Sequence, residues 1–285
     1  MDTEQAARQH LEMEQFFAGF GRRSKGSPQE VQRDEEEVSQ MAGSSSSPGS
    51  PDASASKAGP APSVGQTQRS GKHDGLPAAT KASPDLEVAR RLVEIAEQVN
   101  QCRKCDLGSL RTNAVPGEGS AQARIMFVGE APGADEDAQG RPFVGRAGQL
   151  LDRIIAAMGL RREDVYIGNI LKCRPPDNRE PRAEEIVSCL PYIQSQIEIM
   201  NPDIIVALGS HAAKTLLDTP KSIGQLRGQF HEYYPGFGQP AIRLMATFHP
   251  AYLLRNYSEE NRRRVWEDMK KVLAELGLPI PQSGS

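Results

Sequence analysis

A chain of 285 residues with 38% hydrophobic and 25% charged side chains has room for one or two domains with a real hydrophobic core. Its formal net charge of −3 excludes binding of polyanions by bulk charge alone. No run of about 18 apolar residues is present, and Met1 to Arg23 has no basic start leading into an apolar stretch, so neither a membrane span nor a secretion signal is read.

In chain order, "ARQHLEMEQFFAGFGRR" is a candidate amphipathic helix, with Leu11, Phe16, Phe17 and Phe20, that could dock on a protein partner. Gly26 to Ser83 is rich in Ser, Pro, Gly and Ala and has no aromatic residue, so it cannot bury enough apolar surface to offset its ordering entropy. Residues 1–84 are therefore expected to be a disordered extension, and 85–280 a folded domain. From Asp85 to Val99, Leu86, Ala89, Leu92, Val93, Ala96 and Val99 recur at helical spacing, with Ser83-Pro84 as a start signal. Arg124 to Gly129 reads as a strand and Ala147 to Met158 as a helix. Val165 to Leu171 is a second strand, followed by the proline-rich "CRPPDNREP" and a helix from Ala183 to Met200. Asp203 to Gly209 is a third strand, Ser210 to Leu217 a short helix, Ile242 to Phe248 a fourth strand and Glu259 to Leu276 a closing helix. Apolar strands alternating with helices predict a three-layer α/β/α fold around a central, mainly parallel four-stranded sheet.

Ligands of such sheets sit beyond the carboxyl ends of the strands. The four predicted strands end in Gly129-Glu130, Asn169, Gly209-Ser210 and His249. Singly, each has a bland use as a turn glycine, a cap or a packed histidine; together they favour one shared site. After the first strand comes "GEAPGADEDAQGRPFVGRAGQLL", a glycine-lined loop with four carboxylates, Glu130, Asp135, Glu136 and Asp137, and a single Phe143. It lacks G-x-G-x-x-G and G-x-x-x-x-G-K-[ST], and its carboxylates would repel a polyphosphate. An aromatic face, an amide, a histidine and a carboxylate suit instead a flat, neutral heterocycle with a hydrogen-bonding edge. Phosphate contacts have to come from local clusters, for which Arg141, Arg146, Lys172, Arg174, Arg179 and Arg255 are candidates.

Four cysteines do not make a secreted disulfide scaffold, so free thiols or ligands in a cytoplasmic protein are expected. Cys102 and Cys105 form C-x2-C, while Cys173 and Cys189 stand alone. The two pairs could close a four-thiolate site for zinc or an iron–sulfur cluster. A zinc ribbon more often shows two C-x2-C knuckles, which leans towards iron and sulfur; four unrelated thiols remain the bland reading.

The quoted loop, "NILKCRPPDNREP" and "FHPAYLLR", with the C-x2-C before and Cys189 after, resemble the family 4 uracil-DNA glycosylases, the iron–sulfur branch of their superfamily. The similarity runs from about Glu87 to the closing helix. It implies a DNA repair enzyme that flips uracil out of single- or double-stranded DNA and removes it hydrolytically, starting base excision repair. Phe143 would stack on the base, Asn169 would read its N3–H and O4, and His249 would donate to O2. Glu130 and Ala131 would lie near the sugar and the attacking water, with Gly129 and Gly133 shaping the uracil pocket. Arg141, Arg146, Arg174, Leu253, Leu254 and Arg255 would contact DNA, and Cys102, Cys105, Cys173 and Cys189 would hold a [4Fe-4S] cluster. A monomer, cytoplasmic and nucleoid-associated in a prokaryote, with no membrane partner, is the expected setting. The chain departs from the best-known branch of the superfamily at Ala131, where an aspartate serves the water.

Two alternatives belong to other classes. A non-catalytic iron–sulfur redox or DNA-binding protein would leave the Asn169 and His249 rim without purpose. A covalent DNA-trapping relative would carry a histidine in an inserted basic loop, and no histidine lies between Cys173 and Cys189.

Overall fold

The computed structural model describes residues 84–281, apart from Phe237 and Tyr257. The extension expected to be disordered, and its candidate docking helix, lie outside the described residues. Among those described, no helix is long and apolar enough to cross a membrane.

Helix α1 (Pro84–Gln101) begins with Asp85 and Glu87 in its first turn, where carboxylates complement the positive helix end. At its other end the guanidinium of Arg111 donates to the carbonyls of Val99 (3.0 Å) and Cys102 (3.3 Å), closing acceptors that the helix leaves unpaired. A one-turn helix, α2 (Leu107–Leu110), follows the C-x2-C pair.

Strands β1 (Glu118–Gly119), β2 (Ile125–Gly129), β3 (Tyr166–Asn169), β4 (Ile204–Leu208), β5 (Phe230–Tyr233) and β6 (Ile242–Thr247) form one sheet in the order β1-β3-β2-β4-β6-β5. The inner four are parallel, as expected from their continuous apolar runs. The expected count of four is corrected to six, because β1 and β5 add antiparallel edges. Neither edge announces itself: β1 is two residues long, and β5 reads "FHEY" with only Tyr233 buried.

The helices between strands are α3 (Ala134–Gln139), α4 (Arg146–Ala157), α5 (Ala183–Met200), α6 (Ser210–Leu217) and α7 (Ile223–Leu226), and α8 (Pro250–Arg255) and α9 (Glu259–Glu275) follow the last strand. Side chains alternate across each strand, so the sheet feeds two cores. Ile125 and Phe127 of β2 pack with Leu151 and Ile155 of α4 and Val272 and Leu273 of α9. Met126 and Val128 pack instead with Ile193 and Ile197 of α5 and Ala212 and Ala213 of α6. A third cluster joins Ile95 and Val99 of α1 to Leu171, Tyr192 and the four cysteines.

Four short helices, α2, α3, α7 and α8, have no counterpart in the sequence reading. At four to six residues they are too short to show a helical period and are set by their caps. In α8, His249 is the N-cap and Pro250 the first helical residue, where a missing N–H costs nothing.

Candidate active site

Parallel register brings Gly129 beside Asn169, and Leu208 beside Thr247. The four predicted strand ends thus meet on one rim. There a cleft of about 580 Å³ opens, lined among others by Glu130, Phe143, Asn169, Ser210, His249 and Arg255. That is the size of an ordinary small-ligand pocket.

Phe143 forms one wall and is 5% exposed. Its φ of 50° is one that side chains larger than glycine seldom adopt, so its surroundings must hold it. Glu136 does so from α3: its carboxylate accepts from the N–H groups of Gly133 (3.0 Å), Val144 (2.8 Å) and Gly145 (3.0 Å). A Cβ on Gly129 would stand 2.6 Å from the Phe143 ring and 2.4 Å from Asn169 Oδ1, so glycine there lets the ring and the amide share the floor. The acidic loop therefore divides by role. Asp137 is buried and accepts from Thr112 N–H (3.0 Å), Glu136 shapes the loop, and Glu130 faces the cleft.

Asn169, at the end of β3, is 1% exposed, and its Oδ1 is buried with no hydrogen-bond partner. A buried orphan acceptor costs on the order of 1–3 kcal/mol, a cost that a ligand N–H in the cleft would offset.

His249 follows β6, its ring 5.6 Å from that of Phe143. Its Nδ1 accepts from Ala251 N–H (3.1 Å), which leaves Nε2 to carry the proton of the neutral ring. Burial, helped by the positive charge of Arg255 and opposed by Glu136, pulls its pKa from 6.5 to about 4, so the ring is a neutral donor at physiological pH. Gly209, with φ of 91°, makes room behind it: a Cβ there would lie 2.9 Å from that of His249.

Glu130 is half-buried, with His211 Nε2 3.9 Å away and Glu180 3.6 Å from the same nitrogen. Burial pushes its carboxyl above the ordinary range, His211 pulls it back and Glu180 adds to the rise.

The expected DNA contacts are gathered unevenly. Arg255 lines the cleft, whereas Arg141, Arg146 and Arg174 do not. Arg141 is held by both oxygens of Glu118 (2.8 and 3.1 Å), and Arg174 donates to Asn178 Oδ1 (2.9 Å). Leu253 is packed in the core at 3% exposure, with Leu254 partly buried against it. Missing from the sequence reading were His211 and Tyr252 on the cleft and Glu136 as a loop-former. Only Glu136 had a signal, three residues after a helix-capping glycine.

Cys102, Cys105, Cys173 and Cys189 line one small cavity beneath α1 and α5, none in a disulfide. Arg111 Nη1 donates to Cys173 Sγ (3.0 Å) and Lys172 N–H to Cys189 Sγ (3.2 Å). The Lys172 side chain is 1% exposed, and its Nζ donates to the neutral amide of Gln196 (2.7 Å). Among the described residues no three His, Cys, Asp or Glu side chains converge as they would around a single ion. Four thiols ringing a cavity, with N–H donors and cations beside them, are a donor set that could hold a thiolate-bound metal group. Burial pushes both inner thiols up, Cys189 to about 11, so a metal would have to displace their protons.

Sheet and cleft together define a three-layer α/β protein with a cleft at the carboxyl ends of its parallel strands, where sheets of this kind bind their ligands. Residues 116–270 match the family model described as the Uracil DNA glycosylase superfamily, and the chain belongs to that superfamily. It is 51% identical over 179 residues to the type-4 uracil-DNA glycosylase of Thermotoga maritima, covering 62% of this chain and 91% of that protein. Identity to the type-4 uracil-DNA glycosylase of Saccharolobus solfataricus is 48% over 183 residues, 62% of this chain and 83% of that one. A type-5 uracil-DNA glycosylase of Pyrobaculum aerophilum is 31% identical over 202 residues, 66% and 87% of the two chains.

Proposed function

We propose that the protein is a uracil-DNA glycosylase, which takes a uracil nucleotide out of the DNA stack and hydrolyses its C1′–N1 bond, opening base excision repair. The observation that carries this reading is the orphan Oδ1 of Asn169, buried in the cleft that also holds the Phe143 ring and a neutral imidazole with its Nε2–H to give. Uracil answers all three, with a flat face for Phe143, an N3–H for Oδ1 and an O2 for His249; the Asn169 NH2 can donate to O4. As the bond breaks, the electron pair moves onto the base and positive charge onto the sugar. His249 then stabilises the base anion, and Glu130 opposes the charge on the sugar. Ala131 has no group to activate water, so water is positioned by other atoms of the cleft.

The four cysteines would hold a [4Fe-4S] cluster, which supplies a cross-link between the start of the domain, the segment after β3, and α5. Cys173 would then anchor the chain four residues beyond Asn169. The substrate is uracil-containing DNA, single- or double-stranded, with Arg255 nearest the strand. The enzyme would act as a cytoplasmic, nucleoid-associated monomer in a prokaryote. Residues 85–280 would form the catalytic domain and 1–84 an extension with a docking segment. Release of uracil from a labelled single-stranded oligonucleotide is the direct test. No release by iron-replete protein that binds the oligonucleotide would remove the glycosylase reading.

A further inference from the structure

Phe143 is gripped on its other side by a residue that does not line the cleft. Arg162, in the turn before β3, donates from Nη2 to the carbonyl of Pro142 (2.6 Å) and from Nη1 to that of Phe143 (3.2 Å). The same guanidinium is anchored through Nε (2.9 Å) and Nη2 (2.6 Å) to Glu118 of β1, and through Nη1 (2.6 Å) to Asp152 of α4. A guanidinium has five N–H bonds, and all five are used. Two fix the backbone of the stacking residue and three fix the clamp itself. Glu136 holds the next two N–H groups from the opposite side, so the strained φ of Phe143 is set from both directions. Gly148 closes the space below: a Cβ there would stand 1.9 Å from the Phe143 carbonyl oxygen. The edge strand β1 gains a purpose too, because it presents Glu118 to Arg162 and to Arg141.

We propose that Arg162 is the positioning residue of the base-stacking ring, holding Phe143 in its binding conformation before any base arrives. This rests on the reading of the cleft as a base pocket. A ring so held costs no ordering when the base enters, and misplacement by about 1 Å can cost roughly a hundredfold in rate. Lysine, with three donors on one nitrogen, cannot replace the fork.

The test uses the full chain with Arg162→Met and Arg162→Lys, each alone and with Phe143→Ala. Inhibition of excision by free uracil, which reports the base pocket alone, should weaken about tenfold to a hundredfold in the single variants. Affinity for uracil-free DNA should change little, and melting temperature is measured on the same samples. Added to Phe143→Ala, the Arg162 change should bring no further loss, since its effect passes through the ring. Additive losses, or unchanged uracil inhibition in a folded variant, would overturn the proposal. If the parental protein releases no uracil, the glycosylase reading fails and the clamp is still decided. Fluorine NMR of para-fluorophenylalanine at position 143, assigned by its absence in Phe143→Leu, should give one sharp line in the parent and broad or multiple lines in Arg162→Lys. One sharp, unshifted line in that variant would refute the clamp.

Discussion

At the residue scale the cleft depends on two groups whose protonation and pairing are set by burial. An amide satisfies the N3–H and O4 of uracil together, while cytosine presents the opposite pattern, and a buried group left unpaired rejects the wrong base strongly. Asn169→Ala should therefore lose most uracil excision, and Asn169→Asp should permit some cytosine release; both are read by base release from matched oligonucleotides. His249 Nε2–H bonds more strongly to an anionic base than to a neutral one, so its loss falls on the chemical step. His249→Ala should slow single-turnover excision roughly a hundred- to thousandfold, about 2.7–4 kcal/mol, with DNA affinity little changed. A stable variant with an unchanged rate would take His249 out of the mechanism. The same burial has a stability consequence. The folded ring titrates at about 4 and the unfolded one near 6.5. Its contribution is complete above pH 6.5 and declines as pH falls towards 4, because the unfolded chain binds a proton that the folded chain resists. Denaturant titrations across that window should show a flatter pH dependence for His249→Leu than for the parent.

At the scale of elements, the site is made by chain ends and turns that have no room for substitution. Gly209 lies between β4 and α6 with φ of 91° and a forbidden Cβ contact to His249. Gly209→Ala should cost more than about 1 kcal/mol of stability and also displace the imidazole, so excision should fall even in the folded fraction. Cys173 stands just beyond β3 and would tie that strand's end to α5 through the cluster. Cys173→Ala should abolish iron binding and brown colour, and lower the melting temperature. Full iron occupancy in that variant would rule out Cys173 as a ligand.

At the scale of the whole molecule, residues 84–281 supply two cores on the faces of the sheet and the cysteine cluster. A variant lacking residues 1–82 should fold and excise uracil from naked DNA like the full chain. A large drop in kcat/KM would assign the extension a part in catalysis. Any contribution of Phe16 and Phe17 should appear only in the presence of a protein partner.

Much of this was legible in the order of residues because burial leaves a period. Strands β2, β3 and β4 are buried along their whole length and β6 at every position but Arg243, so each is a largely apolar run, and the residues ending them converge in any parallel sheet. Asn169 and His249 could be singled out for that reason. The neutral state of His249 could not, since it arises from packing against groups far away in the chain. Edge strands β1 and β5 left no apolar signature, and the guanidinium of Arg162 looked like any surface charge. Its five bonds join Glu118, Pro142, Phe143 and Asp152, residues up to 44 positions away. Local order carries periodicity and caps; a polar group's partners are assigned only when folding brings distant segments within about 3 Å, the range over which hydrogen bonds act.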